Sequence, residues 1–398
     1  MTPTTRTAGP DGSGERRPRR VDRLIVHQTD LARPVPGGID TCIRGLLRYA
    51  PRPTTFAVVG VDAGGQVPGR RLGRWERHRA GDNTVWFLPV ARFDPADQVR
   101  RVPHALRLVA GLVRHLPALP ASGLVQAHRV DVAAAVHLLF RRPLAYFVHT
   151  QEHGLTGSTS DSFWRGAAGL HARIEHWLIR TAASTTVFNP DFAATAARIN
   201  PAARFSPTWY DPQVVRFEPA PEHPYRVVWV GRVEEPKDPL LAVSALAELV
   251  AAEPTAPWTL DLVGSGSLLP QVEAAVAALP VGTRERVRLR GRLTPQEVAD
   301  TMAGSGVFLM TSHPGYEGFP RVLLEAMASG LPAVVTLGAD TGQLVVDGRN
   351  GFTITDRSAS GLAVALAKSR GLERADVRAS VDHYGAPAVV SAVLGGAA

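Results

Sequence analysis

The sequence predicts an α/β chain made of two halves, each a parallel sheet layered by helices. Three observations carry that prediction. From Arg23 onward, short apolar runs alternate with stretches of helical periodicity, the pattern of βα units and not of sandwiches or bundles. The series breaks once, where Pro207, Pro212, Pro219, Pro221 and Pro224 cluster as a linker would, and then restarts. A length of 398 residues with 45% hydrophobic side chains suits two full cores.

In chain order, residues 1–20 are rich in Pro, Gly, Thr and Arg, and Asp22 and Arg23 interrupt any apolar stretch after Arg16 and Arg17. They read as a disordered basic tail and not as a signal peptide. Apolar runs at 24–27, 55–60, 85–88, 124–127, 144–148 and 185–188 are the expected strands of a first half spanning 21–212. Between 97 and 116, Val99, Val102, Leu106, Val109, Val113 and Leu116 trace one helical stripe beside Arg100, Arg101, Arg107 and Arg114. The first reading is a core helix with basic residues outside; the alternative is a surface helix that meets anionic lipid. The second half, 213–376, is expected to place strands at 226–230, 259–263, 287–289, 307–310, 333–335 and 352–354. Thr294, Pro295 and Glu297 give one of its helices an N-cap, a first-turn proline and a capping-box acid. Residues 377–398 carry no strand signal and read as a closing helical segment.

Lys and Arg number 44 against 36 Asp and Glu, a net charge of +8 that suits an anionic partner such as a nucleotide sugar, a polyphosphate, nucleic acid or an acidic membrane. The basic residues are scattered and lack interleaved aromatics, which argues against nucleic acid. The single cysteine, Cys42, excludes an intramolecular disulfide and a cysteine-built zinc site, and fits a reducing, cytoplasmic compartment. No apolar run approaches the roughly 18 residues of a membrane-spanning helix.

Chemistry concentrates in residues 315–332, GYEGFPRVLLEAMASGLP. Pro320 suits a first helical turn and Gly330 with Pro332 a helix end. A loop holding Glu317, Gly318 and Phe319 therefore runs from a strand's carboxyl end into a helix N-terminus that attracts anions, with Glu325 in the helix body. A glutamate, seven residues and a second glutamate, followed respectively by Gly-Phe-Pro and by Ala-Met-Ala-Ser-Gly-Leu-Pro, resembles the signature of retaining glycosyltransferases of the two-Rossmann-domain architecture (GT-B), family four in particular.

Four other stretches bear on the same site. Gly231-Arg232, four residues and Lys237-Asp238 follow a strand, where two cations a turn apart suit a pyrophosphate; the pattern resembles the family's grip on the donor diphosphate. Gly37-Gly38, after the first strand, lets backbone approach a ligand closely and resembles the family's first glycine loop. Gly264, in Val263-Gly264-Ser265-Gly266, follows a strand and precedes a helix, so its loop either faces amides to a phosphate or is an ordinary turn. Residues 149–153 spell His-Thr-Gln-Glu-His, but the strand before His149 and Gly154 after His153 oppose the helix that would bring both imidazoles to one metal. A histidine at this strand end resembles the family's active-site histidine, with His149 the better match and His153 the second. His128, at another strand end, reads as a hydrogen-bonded structural residue, and Gln343 stands where many relatives carry an acid.

The resemblance implies two Rossmann-like domains facing across a cleft, the last helix crossing back to the first. It implies transfer of a hexose, with retention, from a nucleoside diphosphate sugar (UDP or GDP) to a hydroxyl acceptor, with no metal and no further cofactor. Arg232 and Lys237 would meet the leaving diphosphate, Glu317 the sugar hydroxyls, His149 the sugar and Glu325 the ribose. Gly37, Gly38, Gly231, Gly264, Gly318 and Phe319 would line the donor. Rival classes are a nucleotide-sugar epimerase or hydrolase and a catalytically silent sugar-nucleotide-binding scaffold. Peripheral contact with the inner face of an anionic membrane extends the lipid reading of the 97–116 stripe.

Overall fold

A computed structural model describes residues 18–33, 38–64, 67–93, 104–149 and 168–395. In it β1 (Arg20–Val26), β2 (Phe56–Asp62), β3 (Glu76–Ala80), β4 (Asn83–Arg92), β5 (Ala121–Ala127), β6 (Leu144–Val148), β7 (Ser184–Val187) and β8 (Ala203–Phe205) form one sheet, ordered β3-β4-β2-β1-β5-β6-β7-β8. A second sheet takes β9 (His223–Val230), β10 (Thr259–Val263), β11 (Val287–Gly291), β12 (Ser305–Met310), β13 (Ala333–Thr336) and β14 (Gly351–Ile354) in the order β11-β10-β9-β12-β13-β14. The pairing of β3 with β4 is antiparallel and the others are parallel. The chain thus adopts the predicted α/β class.

Strands covered on both faces must be apolar throughout, and β2, FAVVGVD, is buried at every position. β3, ERHRA, is an edge strand exposed at alternate positions, so no apolar run announced it, and β8 has three residues. β1 starts at Arg20, inside the stretch read as a tail, because Arg20 and Val21 pair with Ala121 and Ser122 of β5; residues 1–17 lie outside the described residues. α1 (Gly38–Tyr49) follows β1 and buries Cys42, Ile43, Leu46 and Leu47.

The expected stripe of α2 (His104–Arg114) is corrected. Ala105, Leu108 and Leu112 are buried, whereas Leu106 is 59% exposed and Val113 faces solvent as well. The helix presents its small residue to the sheet: a Cβ on Gly111 would lie 2.3 Å from the Val90 carbonyl oxygen, and that close approach rotates Leu106 outward. Val99 and Val102 lie outside the described residues.

Two apolar clusters each belong to one half: Leu24, Val59 and Val148 anchor one, Leu246, Trp258 and Leu362 the other. A third, containing Ile25, Phe147, Trp209, Val228, Phe319 and Met327, is shared by both halves. The closing helix Ala386–Gly395 adds Val389, Val390 and Leu394 to that shared cluster, and Tyr210 bridges to Gly385. β1 lies between β2 and β5, and β9 between β10 and β12, so each sheet's strand order reverses at its first strand. Ligands of such sheets bind outside the strand carboxyl ends at that reversal. Among the described residues, no helix is long and apolar enough to cross a membrane.

Candidate functional site

The loops that leave β9 and β12 meet at the reversal point. After β9, Glu235–Lys237 makes one tight turn into Asp238, whose φ of 46° is left-handed and whose carboxylate caps the helix Pro239–Ala252. The Thr311 hydroxyl, just beyond β12, lies 2.8 and 2.7 Å from the carbonyl oxygens of Lys237 and Asp238 and accepts from Trp229 Nε1 at 2.9 Å. This clamp fixes Lys237, which forms a half-buried ion pair with Glu317; Ser312 Oγ donates to the same carboxylate at 2.7 Å. Arg232 donates to the Tyr316 hydroxyl and pairs with Glu234 at 2.8 Å, while its side chain stays 63% exposed.

The amides of Glu317, Gly318 and Phe319 donate to no acceptor among the described residues, and the helix Arg321–Ala328 begins directly beyond them. That helix ends as its sequence dictates. Gly330, at φ 79°, donates to Met327 O at 2.8 Å and Leu331 to Ala326 O at 3.0 Å, which closes the last carbonyls around a left-handed glycine. Two cations, a carboxylate and unspent amides at a helix N-terminus therefore share one loop cluster, a set suited to an anionic ligand rich in hydroxyls.

The glycines divide. Gly264 donates its amide to Gly291 O at 2.8 Å, and Gly231 donates to Val263 O at 3.0 Å, so neither offers that amide to a phosphate. A Cβ on Gly264 would lie 1.8 Å from Gly231 O: the glycine is demanded by two loops in contact, and its own amide is already spent. Gly38 opens α1 with nothing within 4 Å of where a Cβ would stand. Gly37 and His153 lie outside the described residues.

In the first sheet three adjacent strands, β1, β5 and β6, each end on a histidine: His27, His128 and His149. Arg23 Nη1 donates to Gln126 Oε1 at 3.2 Å, which turns the Gln126 amide nitrogen toward His128 Nε2 at 2.8 Å; His128 Nδ1 faces His149 Nε2 at 2.8 Å. Gln126 must donate, so the His128 proton sits on Nδ1 and is given to His149, whose own proton is on its Nδ1. Burial holds His27 and His149 neutral, with pKa values lowered to about 3, helped by Arg129 beside His27 and Arg321 beside His149; burial lowers His128 as well. Cys42, His128 and His149 place their donor atoms within 4.8 Å of one another. The facing ring nitrogens are already bonded and the Arg321 guanidinium lies against the thiol, so the trio is not set as a metal cage.

The halves touch at this point. A Cβ on Gly318 would be 2.5 Å from His149 O, and Asn189 Nδ2 donates to Gly318 O at 3.3 Å. The Phe319 ring is buried between Phe205 and Tyr384, at 6.0 and 5.8 Å. One turn into the helix, Glu325 is half-buried; burial pushes its carboxyl up to about 7, Arg321 opposes the shift and Asp211 adds to it. The structure therefore brings together His149, Arg232, Lys237, Glu317, Gly318 and Phe319, with Glu325 behind them. Tyr316, Ser312, Thr311, Arg321 and Asn189 were missed; Tyr316 and Arg321 adjoin the motif, whereas Asn189 reaches it from 129 residues away.

Residues 224–369 match the family model of glycosyl transferases group 1. This stretch is similar to the group 1 glycosyltransferases. The D-inositol 3-phosphate glycosyltransferase of Frankia alni is 32% identical over 145 residues, 35% of this chain and 35% of its own length. The glycogen synthase of Mycobacterium tuberculosis is 27% identical over 249 residues, 59% of this chain and 56% of its own length. The chain thus spans between 35% and 56% of these two curated relatives. Among solved structures, sucrose-phosphate synthase from Thermosynechococcus elongatus superposes with a TM-score of 0.71 at 18% identity, over 94% of this chain and 98% of that one. HepE of Anabaena, solved with UDP-glucose, gives 0.65 at 18% identity over 94% and 99%. At such identity the likeness establishes the fold: a GT-B arrangement over most of the chain, whose second half holds the stretch matched by the group 1 model.

Proposed function

We propose that this chain transfers a hexose from a nucleoside diphosphate sugar to a hydroxyl acceptor with retention of anomeric configuration. One observation carries the reading: Arg232, Lys237, Glu317 and the unspent amides of residues 317–319 converge on one point, opposite His149. The family of residues 224–369 and the UDP-glucose bound to HepE support the choice of ligand.

Breaking the glycosidic bond leaves negative charge on the diphosphate, and positive potential placed there beforehand lowers the barrier. Lys237 and Glu317 pair with each other until the donor arrives; Lys237 then turns to the diphosphate and Glu317 accepts from sugar hydroxyls. Arg232 exchanges Tyr316 and Glu234 for phosphate oxygens, and the amides at the helix start complete the cradle. Glu325 receives the ribose hydroxyls, and His149 faces the sugar with a nitrogen that donates. These cations and amides neutralise the leaving group themselves, so the reading requires no metal.

Incubation with a panel of UDP- and GDP-sugars, with and without acceptor extract and with a chelator, tests it. Acceptor-dependent transfer that survives chelation is expected. Acceptor-free conversion would replace transferase by epimerase or hydrolase, and binding without turnover by a silent scaffold. For the acceptor side, exposed Leu106 and Val113 beside Arg107 and Arg114 on α2 support contact with anionic lipid. Co-sedimentation with anionic vesicles, lost on Leu106→Glu, is the expected result; equal sedimentation of both proteins dismisses it.

A further inference from the structure

Beneath the closing helix Ala386–Gly395, on the inner face of the first sheet, lies a cavity of about 300 Å³. Its walls include Phe147 of β6, Thr186 of β7, Pro207, and Val389 and Val393 of the helix, and Arg23 of β1 faces it from the strand side. Arg23 is 6% exposed. Its guanidinium has one hydrogen-bond partner among the described residues, the neutral Gln126 Oε1, and no ion pair; the carboxylate of neighbouring Asp22 is bound to Thr55 instead. Asp22 acts on this cation only from beyond ion-pair distance. An arginine cannot shed its charge, and a buried cation with no directly paired carboxylate is costly. The lining also holds Ser184, Thr185, Ser206, Arg204 and His383, so the cavity is mixed and basic with an apolar majority. A buried cation on such a wall calls for an anion with an apolar body.

The same guanidinium begins a string that ends in the candidate active site. Arg23 orients the Gln126 amide, Gln126 donates to His128, and His128 donates to His149, over 3.2, 2.8 and 2.8 Å. An anion that draws Arg23 toward the cavity acts on the Gln126 amide, and through it on the imidazole that faces the Glu317–Phe319 loop.

We propose that this cavity is an effector site for a small carboxylate with a short apolar chain, paired with Arg23, and that its occupancy is felt at His149 through Gln126 and His128. Nothing in this site depends on which reaction the cleft performs. Calorimetry on the full chain with octanoate is expected to give saturable binding, with Kd on the order of 0.1 to 1 mM for a ligand of this size. Octanol, which lacks the charge, and inorganic phosphate, which lacks the chain, should each bind at least about tenfold more weakly. Arg23→Gln should lose octanoate by a similar factor. Ala392→Trp, a substitution at an exposed residue on the cavity mouth, should block entry while leaving the core untouched. With ¹⁵N-labelled histidine, octanoate should move the ring-nitrogen signals of His128 and His149, and in Gln126→Leu should bind without moving His149. Absence of saturable binding, unchanged octanoate affinity in both Arg23→Gln and Ala392→Trp, or octanol binding as tightly as octanoate would overturn the site. Binding that leaves the His149 signal in place would overturn the coupling.

Discussion

At the scale of single residues, the Lys237–Glu317 pair sets what each substitution should do. An interaction that strengthens only as charge leaves the sugar appears in turnover and not in ground-state affinity. Lys237→Ala is accordingly expected to lower kcat by roughly a hundredfold to a thousandfold, with nucleoside diphosphate binding by calorimetry little changed. Glu317→Gln keeps the shape and the Ser312 contact but accepts sugar hydroxyls less well; it should lose turnover while still binding the diphosphate product. Full transfer activity in either variant would refute the proposed roles. Glu325 behaves differently, because its carboxyl titrates near 7. Ribose hydroxyls donate to the ionised form, so nucleotide affinity should rise as pH goes from 6 to 8, and Glu325→Gln should flatten that profile.

At the scale of elements, the helix Arg321–Ala328 carries Glu325 behind the loop of Glu317 and has a sharply defined end. Gly330 stops it in a left-handed conformation, with Phe217 2.6 Å from where a Cβ would stand. A side chain there meets both the left-handed penalty and a clash, so Gly330→Ala should lower stability by about 1 to 3 kcal/mol in urea unfolding. A neutral result would mean that the helix end relaxes without strain. By contrast, Thr294 and Glu297 form the capping box that their spacing predicts, an end fixed entirely by local hydrogen bonds.

At the scale of the whole molecule, the shared apolar cluster makes the two halves one body around two buried histidines, His27 and His128, and the half-buried His149. Between pH 6.5 and about 3 the unfolded chain takes up protons that His27 and His149 refuse in the fold, and His128, which burial also holds well below its ordinary value, acts in the same direction, so stability is full above pH 6.5 and falls on acidification. Glu325 acts oppositely, since between 4.5 and about 7 the fold keeps a proton that the unfolded chain releases. Three protons against one leaves the histidines dominant. Stability should fall from pH 7 to 5 by up to about 3 kcal/mol per pH unit, at about 1.4 kcal/mol per proton. Denaturant unfolding at several pH values measures the slope, and His27→Phe should reduce it by one proton's worth. A flat profile would mean that these histidines are not neutral in the fold.

The sequence by itself determined the elements whose cause is local. β6 and β10 occupy the residues predicted for them, because short runs covered on both faces must be apolar. The helix from Pro320 to Gly330 was legible because proline and glycine act on their own φ angles. The loop of Glu317 and the pair Arg232 and Lys237 were legible as residues, from motif spacing. Their long-range partners were not. Lys237 meets Glu317 across 80 residues and Arg23 meets Gln126 across 103, and no window of sequence contains both partners. The rotation of α2, the polar edge strand β3 and the spent amide of Gly264 were likewise decided by what each element packs against. Periodicity states that a helix or strand has a face, and only the assembled sheets choose the neighbour which that face meets.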